Sequence, residues 1–230
     1  STMLLADFGA EVIKIEKPVT GDKIRSYSPK NEKGSAYHAY INRGKKSVCV
    51  DPSTPEGREV VLRLIETADI VCENYASGIM EEQKLSYKDL IQVKPEIIYA
   101  SLTGFGKTGP LSRNQGIDIA SQALSGLMAF TGFPGSLPTA HGSRIADQYG
   151  GVFLAYAIML ALIFKFRTGI GQQIDISTTD CLFTALEAGE IVCAVTGKNF
   201  EREGNHSQAI APYDTYRTLD GYISTAVSTN

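Results

Sequence analysis

The sequence predicts an α/β fold built on a doubly wound, mostly parallel sheet. In the first half of the chain, short β-branched runs alternate with segments whose apolar residues recur at helical spacing. This alternation is typical of βαβ units, in which a helix connects two parallel strands. Polar residues and turn formers follow several of the predicted strands, and that edge of an open α/β sheet is where ligands bind.

The elements of the first half can be assigned in order from these patterns. Strands are predicted at residues 11–16, 47–51, 69–73 and 96–102, and helices at residues 2–8, 55–67 and 87–93. The helix at 55–67 has four apolar residues at helical spacing, and Pro55 suits its first turn. The chain starts within a helical pattern, so we expect a fragment of a longer protein, with one further strand ahead of the first helix.

The second half of the chain predicts longer helices and a final hairpin. Helices are predicted at residues 119–131, 148–167 and 180–196, with a strand at residues 172–177. An Asp220-Gly221 turn predicts a hairpin over residues 212–227. We therefore expect a large α/β domain at residues 1–196, a polar linker at 197–211 and the truncated start of a small domain at 212–230.

The composition is that of an ordinary globular protein. Apolar residues make up 43% of the chain, charged residues 20%, and the net charge is -3, so nothing predicts nucleic-acid binding. The longest apolar run, residues 152–164, is too short to cross a bilayer. The first residues do not resemble a signal peptide, and the scattered cysteines fit a reducing compartment, so we expect a cytoplasmic protein without a metal site.

The stretch "LTGFGKTGP" contains Gly104-x-Gly106-x-x-Gly109, the spacing of a dinucleotide-binding loop. That motif works only when it leaves a strand and opens a helix, whose amides hold the pyrophosphate. Here Pro110 and loop-like residues follow the third glycine. A phosphate-loop match also fails, because it would need glycine where Ser101 stands. The stretch therefore predicts a glycine-rich loop at the end of a parallel strand.

Polar groups at other strand ends are candidates to line the same crevice. Lys17 follows the first strand, Asp51 and Ser53 follow the second, and Asn74-Tyr75 follows the third. Each also has an ordinary explanation in turn or cap chemistry: Asp-Pro-Ser is good turn material, and Ser53 or Thr54 can cap the helix at Pro55. Taken singly, these residues favour the structural interpretation.

Two carboxylates precede predicted helices in the second half. Asp147, in "RIADQYGG", lies just before the long apolar helix, and Asp118, in "NQGIDIASQALSG", lies before another. The simplest prediction for Asp147 is an N-cap that accepts hydrogen bonds from the first turn. A carboxylate held at a helix N-terminus where water is excluded can also act as a nucleophile. The two roles are compatible, and both stay open on this pattern alone.

An ordered set of motifs resembles one protein family over the whole chain. These motifs are "TMLLADFGAEVIKIEKP", "INRGKKSVCVDPSTPEGREVVLRLIETADIVCENY", "IIYASLTGFGKTGP", "GIDIASQALSGLMAFTG", "RIADQYGG" and "RTGIGQQIDIS". Together they resemble the family III CoA-transferases, the CaiB/BaiF group of carnitine and formyl-CoA transferases that also includes α-methylacyl-CoA racemases. The resemblance implies an α/β large domain, a second domain and two protomers interlocked as a homodimer.

The resemblance also implies a mechanism and a set of contacts. Asp147 matches the catalytic aspartate of the family, which attacks an acyl-CoA thioester and passes CoA to a carboxylic acid acceptor; CoA is a substrate, and no separate cofactor is expected. The positions that match CoA contacts of the family are Lys17, Val50, Asp51, Pro52, Ser53, Asn74, Tyr75, Ala76, Asn114, Gln115, Gly116, Ile117 and Asp118.

The chain departs from the family pattern after the Asn-aromatic pair. Ala76 and Glu82 stand where arginine is common, and arginine is the natural partner of phosphate. Lys45, Lys46 and Lys84 are the candidates to compensate for those missing charges.

Two alternatives to the transferase remain. The racemase branch has a His-Asp pair where this chain has Ile117-Asp118, and isoleucine cannot carry a proton, which favours the transferase. The second alternative is an inactive fragment or a non-enzymatic paralogue.

Overall fold

The computed structural model describes residues 1–207 and 209–227, except for the side chain of residue 188. The chain forms two compact units, one of Ser1–Gln115 with Gly150–Ser177 and the other of Gly116–Tyr149 with Thr178–Asn230. The large domain at 1–196, the linker at 197–211 and the small domain at 212–230 stay predictions of the sequence. Residues 208 and 228–230, which fall in the last two segments, lie outside the described residues.

Helices and strands alternate through the first unit, as predicted. The helices of the described chain are α1 (Thr2–Asp7), α2 (Ala36–Ile41), α3 (Pro55–Thr67), α4 (Ile79–Glu82), α5 (Tyr87–Val93), α6 (Asp118–Leu124), α7 (Leu127–Phe130), α8 (Ile145–Thr168), α9 (Thr178–Phe183) and α10 (Ala188–Thr196). The strands are β1 (Val12–Glu16), β2 (Lys30–Asn31), β3 (Gly34–Ser35), β4 (Lys45–Cys49), β5 (Ile70–Glu73), β6 (Ile98–Thr103), β7 (Gln173–Ser177), β8 (Tyr213–Arg217) and β9 (Tyr222–Ala226). Short 3-10 turns occupy Lys23–Ser26 and Thr184–Leu186.

The strands of the first unit pair in parallel. β1 pairs with β4, with Val12 opposite Lys45, and β6 lies between β5 and β7, with Ile98 opposite Ile70 and Tyr99 opposite Gln173. Among the described residues, β1 and β5 each have a strand partner on one side only. The further strand expected ahead of the first helix stays a prediction.

Helices cover both faces of the β5–β6–β7 sheet, which confirms the α/β class. Successive side chains of a strand point to opposite faces, and β6 shows this directly. Tyr99 belongs to a core cluster with Val61 of α3 and Leu90 of α5. Ile98, the residue before it, belongs to a second cluster with Ile158 of α8. This two-sided burial explains why the strand reads as an apolar run instead of an alternating one.

Local sequence signals set the bounds of two predicted helices. α3 begins at Pro55 because Thr54 Oγ1 accepts a hydrogen bond from Gly57 N at 3.1 Å. A Cβ at Gly57 would lie 1.9 Å from the Asp51 carbonyl oxygen, so only glycine lets this turn pack against the end of the preceding loop. α5 begins after Ser86, whose side chain forms a reciprocal capping box with Asp89.

α8 is longer than the helix predicted at residues 148–167, and it begins at Ile145. By length and composition alone, this 24-residue helix could cross a membrane. Its buried face has a core role in the first unit, where Leu154 and Ile158 are 1% and 0% exposed and cluster with Ile98 of β6. Its other face exposes Val152 and Tyr156 among further apolar residues.

Two predicted helices of the second unit are broken. The helix predicted at residues 119–131 is divided into α6 and α7 because Gly126 has φ 90, in the left-handed region that ends a helix. The helix predicted at 180–196 begins earlier, at Thr178, and is divided into α9, a 3-10 turn and α10. Glu187, with φ 53, lies at that second break. The predicted hairpin is confirmed as the antiparallel pair β8–β9.

Candidate active site

Asp147 is the third residue of α8 and lies in its first turn. This position shows that the predicted N-cap role of Asp147 is wrong. Asp118 caps the helix N-terminus instead, because its Oδ1 accepts hydrogen bonds from Ala146 N at 2.8 Å and from Asp147 N at 3.3 Å. A helix leaves its first N–H groups without internal partners. Because a carboxylate from α6 satisfies two of them, the Asp147 side chain is not needed as a cap.

The surroundings of Asp147 disfavour its negative charge. Desolvation raises the pKa of the Asp147 carboxyl above its ordinary value, the charge of Asp118 raises it further, and Arg144 lowers it. Both raising causes increase the free energy of the ionised carboxylate. Asp147 is nevertheless exposed in this chain, so a substrate can reach a carboxylate whose charge is disfavoured, and attack on an acyl group removes that charge. The arrangement therefore suits nucleophilic chemistry.

In the first unit, the predicted contacts after β1 and β4 lie side by side. Val50 N donates to the Glu16 carbonyl oxygen at 3.0 Å, which continues the β1–β4 pairing toward Lys17. Asp51 then forms a turn in which its Oδ1 accepts from Ser53 N at 3.0 Å and Ser53 Oγ at 2.6 Å. These bonds hold the pKa of the Asp51 carboxyl below its ordinary value, with a smaller contribution from the charge of Lys17. Pro52 completes this turn.

The predicted contacts after β5 lie in a loop that is tied to the end of β6. The Asn74 side-chain amide donates to the Leu102 carbonyl oxygen. Ser77 Oγ donates to the Ser112 carbonyl oxygen at 2.7 Å, which joins this loop to the one after β6. Tyr75 is 48% exposed and Ala76 is exposed. An aromatic face is therefore accessible at the carboxyl end of the parallel sheet.

The predicted contact segment at residues 114–118 is divided between the two units. Asn114 and Gln115 belong to the first unit and are exposed, while Gly116, Ile117 and Asp118 belong to the second. Ile117 is 55% exposed, and Asp118 opens α6. Of the predicted site residues in the second unit, Asp118 and Asp147 are brought into direct contact.

The glycine-rich loop after β6 is fastened at its lysine. Lys107 Nζ lies 2.8 Å from Oε1 of Glu73, whose side chain is 2% exposed, and it lies over the Tyr99 ring at 5.4 Å. The Lys107 main-chain N–H donates to Asp175 Oδ2 at 2.8 Å. A lysine whose charge is already paired in a buried position is a poor ligand for phosphate. This pairing agrees with the prediction that the loop is not a phosphate loop, and no local sequence pattern indicates the pairing itself.

Glu16, at the end of β1, lies at the centre of a further polar cluster that the sequence patterns did not predict. Its carboxylate accepts from Arg25 Nε at 2.8 Å and Nη2 at 2.9 Å, and from Ser47 Oγ at 2.9 Å. The Arg25 guanidinium, with help from Ser47 and the Asp22 amide, lowers the pKa of Glu16 from its ordinary 4.5 to about 2. The bidentate pair fixes the loop after β1 and places a cation at this sheet edge.

Glu16 should make the stability of the protein depend on pH below neutrality. Because its folded pKa is depressed, its contribution is complete above pH 4.5 and is lost as the pH falls toward about 2. We expect Glu16→Gln to lower the free energy of unfolding by about 2–3 kcal/mol at pH 7, and the difference from wild type to shrink across that window. Urea unfolding at pH 7, 4 and 3 measures it.

Glu59→Gln is the matched control for that series. Glu59 pairs with Arg63 at 2.5 Å, but both side chains are mostly exposed, at 64% and 73%. Exposed pairs contribute about 0–1 kcal/mol, so this variant should stay close to wild type at every pH. A Glu16→Gln deficit that does not change with pH would contradict the assignment.

The three lysines considered as substitutes for the missing arginines have different surroundings. Lys46 is paired with Glu11 at 3.0 Å, and Lys45 donates to Asn42 Oδ1 at 3.2 Å. Lys84 is exposed, as is Glu82 in α4. Burial holds the pKa of Lys45 below its ordinary value. The role of any of them toward a phosphate stays a prediction.

Within residues 1–207 and 209–227, no three His, Cys, Asp or Glu side chains are grouped so that they could hold a metal ion. The expectation that the protein uses no metal cofactor remains a prediction.

The sequence profile of CoA-transferase family III matches residues 1–230, the whole chain. The chain belongs to CoA-transferase family III. Named relatives support the assignment: the chain is 38% identical over 95% of its length to acetyl-CoA:oxalate CoA-transferase of Acetobacter aceti, and 37% identical over its full length to succinyl-CoA:glutarate CoA-transferase of Mus musculus. It covers 57% and 53% of those two proteins.

Solved structures agree with this assignment to CoA-transferase family III. The fold matches a CAIB/BAIF family protein from Brucella suis with a TM-score of 0.89 at 40% identity, covering 96% of this chain and 59% of that one. A second match is the protein Rv3272 of M. tuberculosis, with a TM-score of 0.80 at 32% identity. The chain therefore spans somewhat more than half the length of the family III proteins that it resembles.

Proposed function

We propose that this chain carries the nucleophile of an acyl-CoA:carboxylate CoA-transferase, and that Asp147 is that nucleophile. The observation that carries the proposal is the position of Asp147 in a family III chain. It lies in the first turn of α8, where Asp118 meets the helix amides and the Asp147 carboxylate is not used as a cap. Desolvation and the charge of Asp118 raise the free energy of its ionised form.

The proposed reaction has four acyl-transfer steps. The Asp147 carboxylate attacks the acyl-CoA thioester, forming a mixed anhydride and releasing CoA thiolate. The thiolate attacks the aspartyl carbonyl, forming an aspartyl-CoA thioester and releasing the first acid as a carboxylate. The acceptor carboxylate attacks that thioester, forming a second anhydride and releasing the thiolate again. The thiolate then attacks the acceptor's acyl carbon, which gives the new acyl-CoA and restores Asp147.

Coenzyme A would bind along the carboxyl ends of the parallel strands. Support comes from the adjacent turns after β1 and β4, and from the exposed Tyr75 after β5, whose ring offers a stacking surface. The curated relatives are named for oxalate, glutarate and succinyl groups, which makes short dicarboxylic acids the first acceptors to test.

We further propose that the full-length protein is a cytoplasmic homodimer. The exposed apolar face of α8 supports this proposal, because a partner protomer could cover it. Four of its residues are about half exposed: Val152 at 53%, Tyr156 at 62%, Met159 at 47% and Ile163 at 46%. Their spacing along the helix puts them on one side. A contiguous apolar stripe of this kind marks an interaction site in soluble proteins.

Trapping with hydroxylamine tests the proposed nucleophile. The full-length protein is incubated with succinyl-CoA and hydroxylamine, digested and analysed by mass spectrometry. We expect an aspartyl hydroxamate on the peptide that contains Asp147, formed together with free CoA. Loss of an α-proton from a 2-methylacyl-CoA in deuterated water, with no label on Asp147, would support the racemase alternative. The absence of both reactions would support a non-enzymatic protein.

A further inference from the structure

Gln122 is a buried amide that joins two parts of the second unit. It belongs to α6 and is 1% exposed. Its Nε2 donates to Asp118 Oδ2 at 2.6 Å, and its Oε1 accepts from the main-chain N–H of His141 at 2.8 Å. The other oxygen of Asp118 accepts from the amides of Ala146 and Asp147. One continuous chain of hydrogen bonds therefore runs from the loop before α8 to the first turn of that helix.

The chemistry of the two partners leaves one orientation for the Gln122 amide. A main-chain N–H can only donate, and an ionised carboxylate can only accept. Glutamine supplies an acceptor for the first and a donor for the second in a single planar group. Methionine has a similar length but makes neither strong bond, and glutamate keeps the acceptor while losing the donor. A side-chain amide is therefore the group that satisfies both partners at this position.

The loop before α8 is stabilised at the same place. Ser143 N donates to His141 Nδ1 at 3.1 Å, and Ser143 Oγ lies 2.9 Å from the same nitrogen. Gln122 holds this loop at His141, while Asp118 holds the start of α8 at Ala146 and Asp147. Removing the amide would take away the bond to Oδ2, so that the Asp118 carboxylate would be held through Oδ1 and the amides of Ala146 and Asp147 alone.

We propose that Gln122 is a positioning residue for the reaction of Asp147. It fixes the rotamer of Asp118, and Asp118 in turn sets the first turn of α8 and the direction of the Asp147 carboxylate. The inference rests on the proposed function, since it assigns Gln122 a role in the chemistry of the same nucleophile. Displacement of a reacting group by about 1 Å can cost about 100-fold in rate, so the buried amide should affect turnover without touching CoA.

Two variants and one control test the role in the full-length protein. Gln122→Met should slow the trapping of Asp147 by hydroxylamine about 10- to 100-fold at saturating succinyl-CoA, with the KM for succinyl-CoA unchanged. Hydrogen exchange of the peptide containing Ala146 and Asp147 should become faster. Ser121→Ala is the control, because Ser121 is buried in the same helix but bonds Thr178 Oγ1 at 2.8 Å; it should lose stability and retain the rate.

Gln122→Glu provides a readout that a purely structural role would not give. At neutral pH its carboxylate would face Asp118 and repel it, whereas protonation in acid restores an O–H donor to Oδ2. The rate of this variant relative to wild type should therefore increase as the pH falls, while the relative rate of Gln122→Met stays flat. A trapped wild-type protein whose Gln122→Met variant reacts at the wild-type rate would overturn this inference alone. A wild-type protein that is not trapped at Asp147 would overturn the proposed function as well.

Discussion

Replacing Asp147 with asparagine should reduce CoA transfer at least about 1,000-fold, the scale on which loss of a catalytic nucleophile acts. Asparagine keeps the size of the side chain and the main-chain N–H that donates to Asp118. It cannot form an anhydride, because its neutral amide is a weak nucleophile. The expected result is a folded protein without transferase activity. The measurement is the rate of CoA transfer from succinyl-CoA to glutarate or oxalate, followed by chromatography of the acyl-CoA products.

The control for this substitution is Asp180→Asn. Asp180 also lies in the first turn of a helix, α9, in the same unit. The exchange therefore removes one carboxylate from a similar backbone position without removing the proposed nucleophile. We expect Asp180→Asn to retain transfer within a few-fold of wild type. Normal transfer by Asp147→Asn, with the thermal unfolding transition of both variants intact, would show that another group attacks the thioester.

The elements that were predicted well are those whose signals are local. α3 and α5 have the bounds that the sequence predicts, and each begins where it does because Thr54 or Ser86 caps it from the adjacent position. The parallel class followed from the alternation of strands and helices, and the β8–β9 hairpin followed from its Asp-Gly turn. In each case the chain needs only a few neighbouring residues to determine the backbone path.

The features that could not be predicted depend on contacts between distant residues. α8 begins at Ile145 because its cap comes from Asp118, 29 residues earlier than Asp147. The helix predicted at 119–131 is interrupted at Gly126, which has a left-handed φ. The sequence shows that a glycine is present there but does not show its φ. The bond between Gln122 and His141 spans 19 residues, and no spacing rule connects them. The resemblance identified Asp147, but only the structure showed how its surroundings are arranged.

The same limit applies to the glycine-rich loop, whose lysine is fixed by residues that lie far from it in the sequence. Lys107 pairs with Glu73, at the end of β5, and with the Tyr99 ring on β6. Burial and the neighbouring charge of Glu73 raise the pKa of the Tyr99 phenol. The cluster therefore combines a carboxylate that needs a cation with an aromatic ring that remains neutral. Its stability should depend on both charges being present together.

Lys107→Met should lower the free energy of unfolding by about 3–5 kcal/mol, because it leaves the Glu73 carboxylate buried without its cation. The Glu73 side chain is 2% exposed, so water cannot easily replace the lost charge. Lys165→Met is the matched control. Lys165 pairs with Asp69 at a similar distance, 3.0 Å, but the Asp69 side chain is 69% exposed. That variant should lose no more than about 1 kcal/mol through its charge, since a hydrated carboxylate tolerates the loss of a partner.

The double variant Glu73→Gln/Lys107→Met separates the ion pair from the packing of its side chains. With the carboxylate replaced by an amide, no charge remains buried, and most of the stability lost in Lys107→Met should return. Urea unfolding of the wild type, Glu73→Gln, Lys107→Met and the double variant gives the coupling energy. If the double variant is as unstable as Lys107→Met alone, the lysine acts through its aliphatic packing against Tyr99 and not through Glu73. Recovery would establish that the charge pair at the carboxyl ends of β5 and β6 fastens the glycine-rich loop.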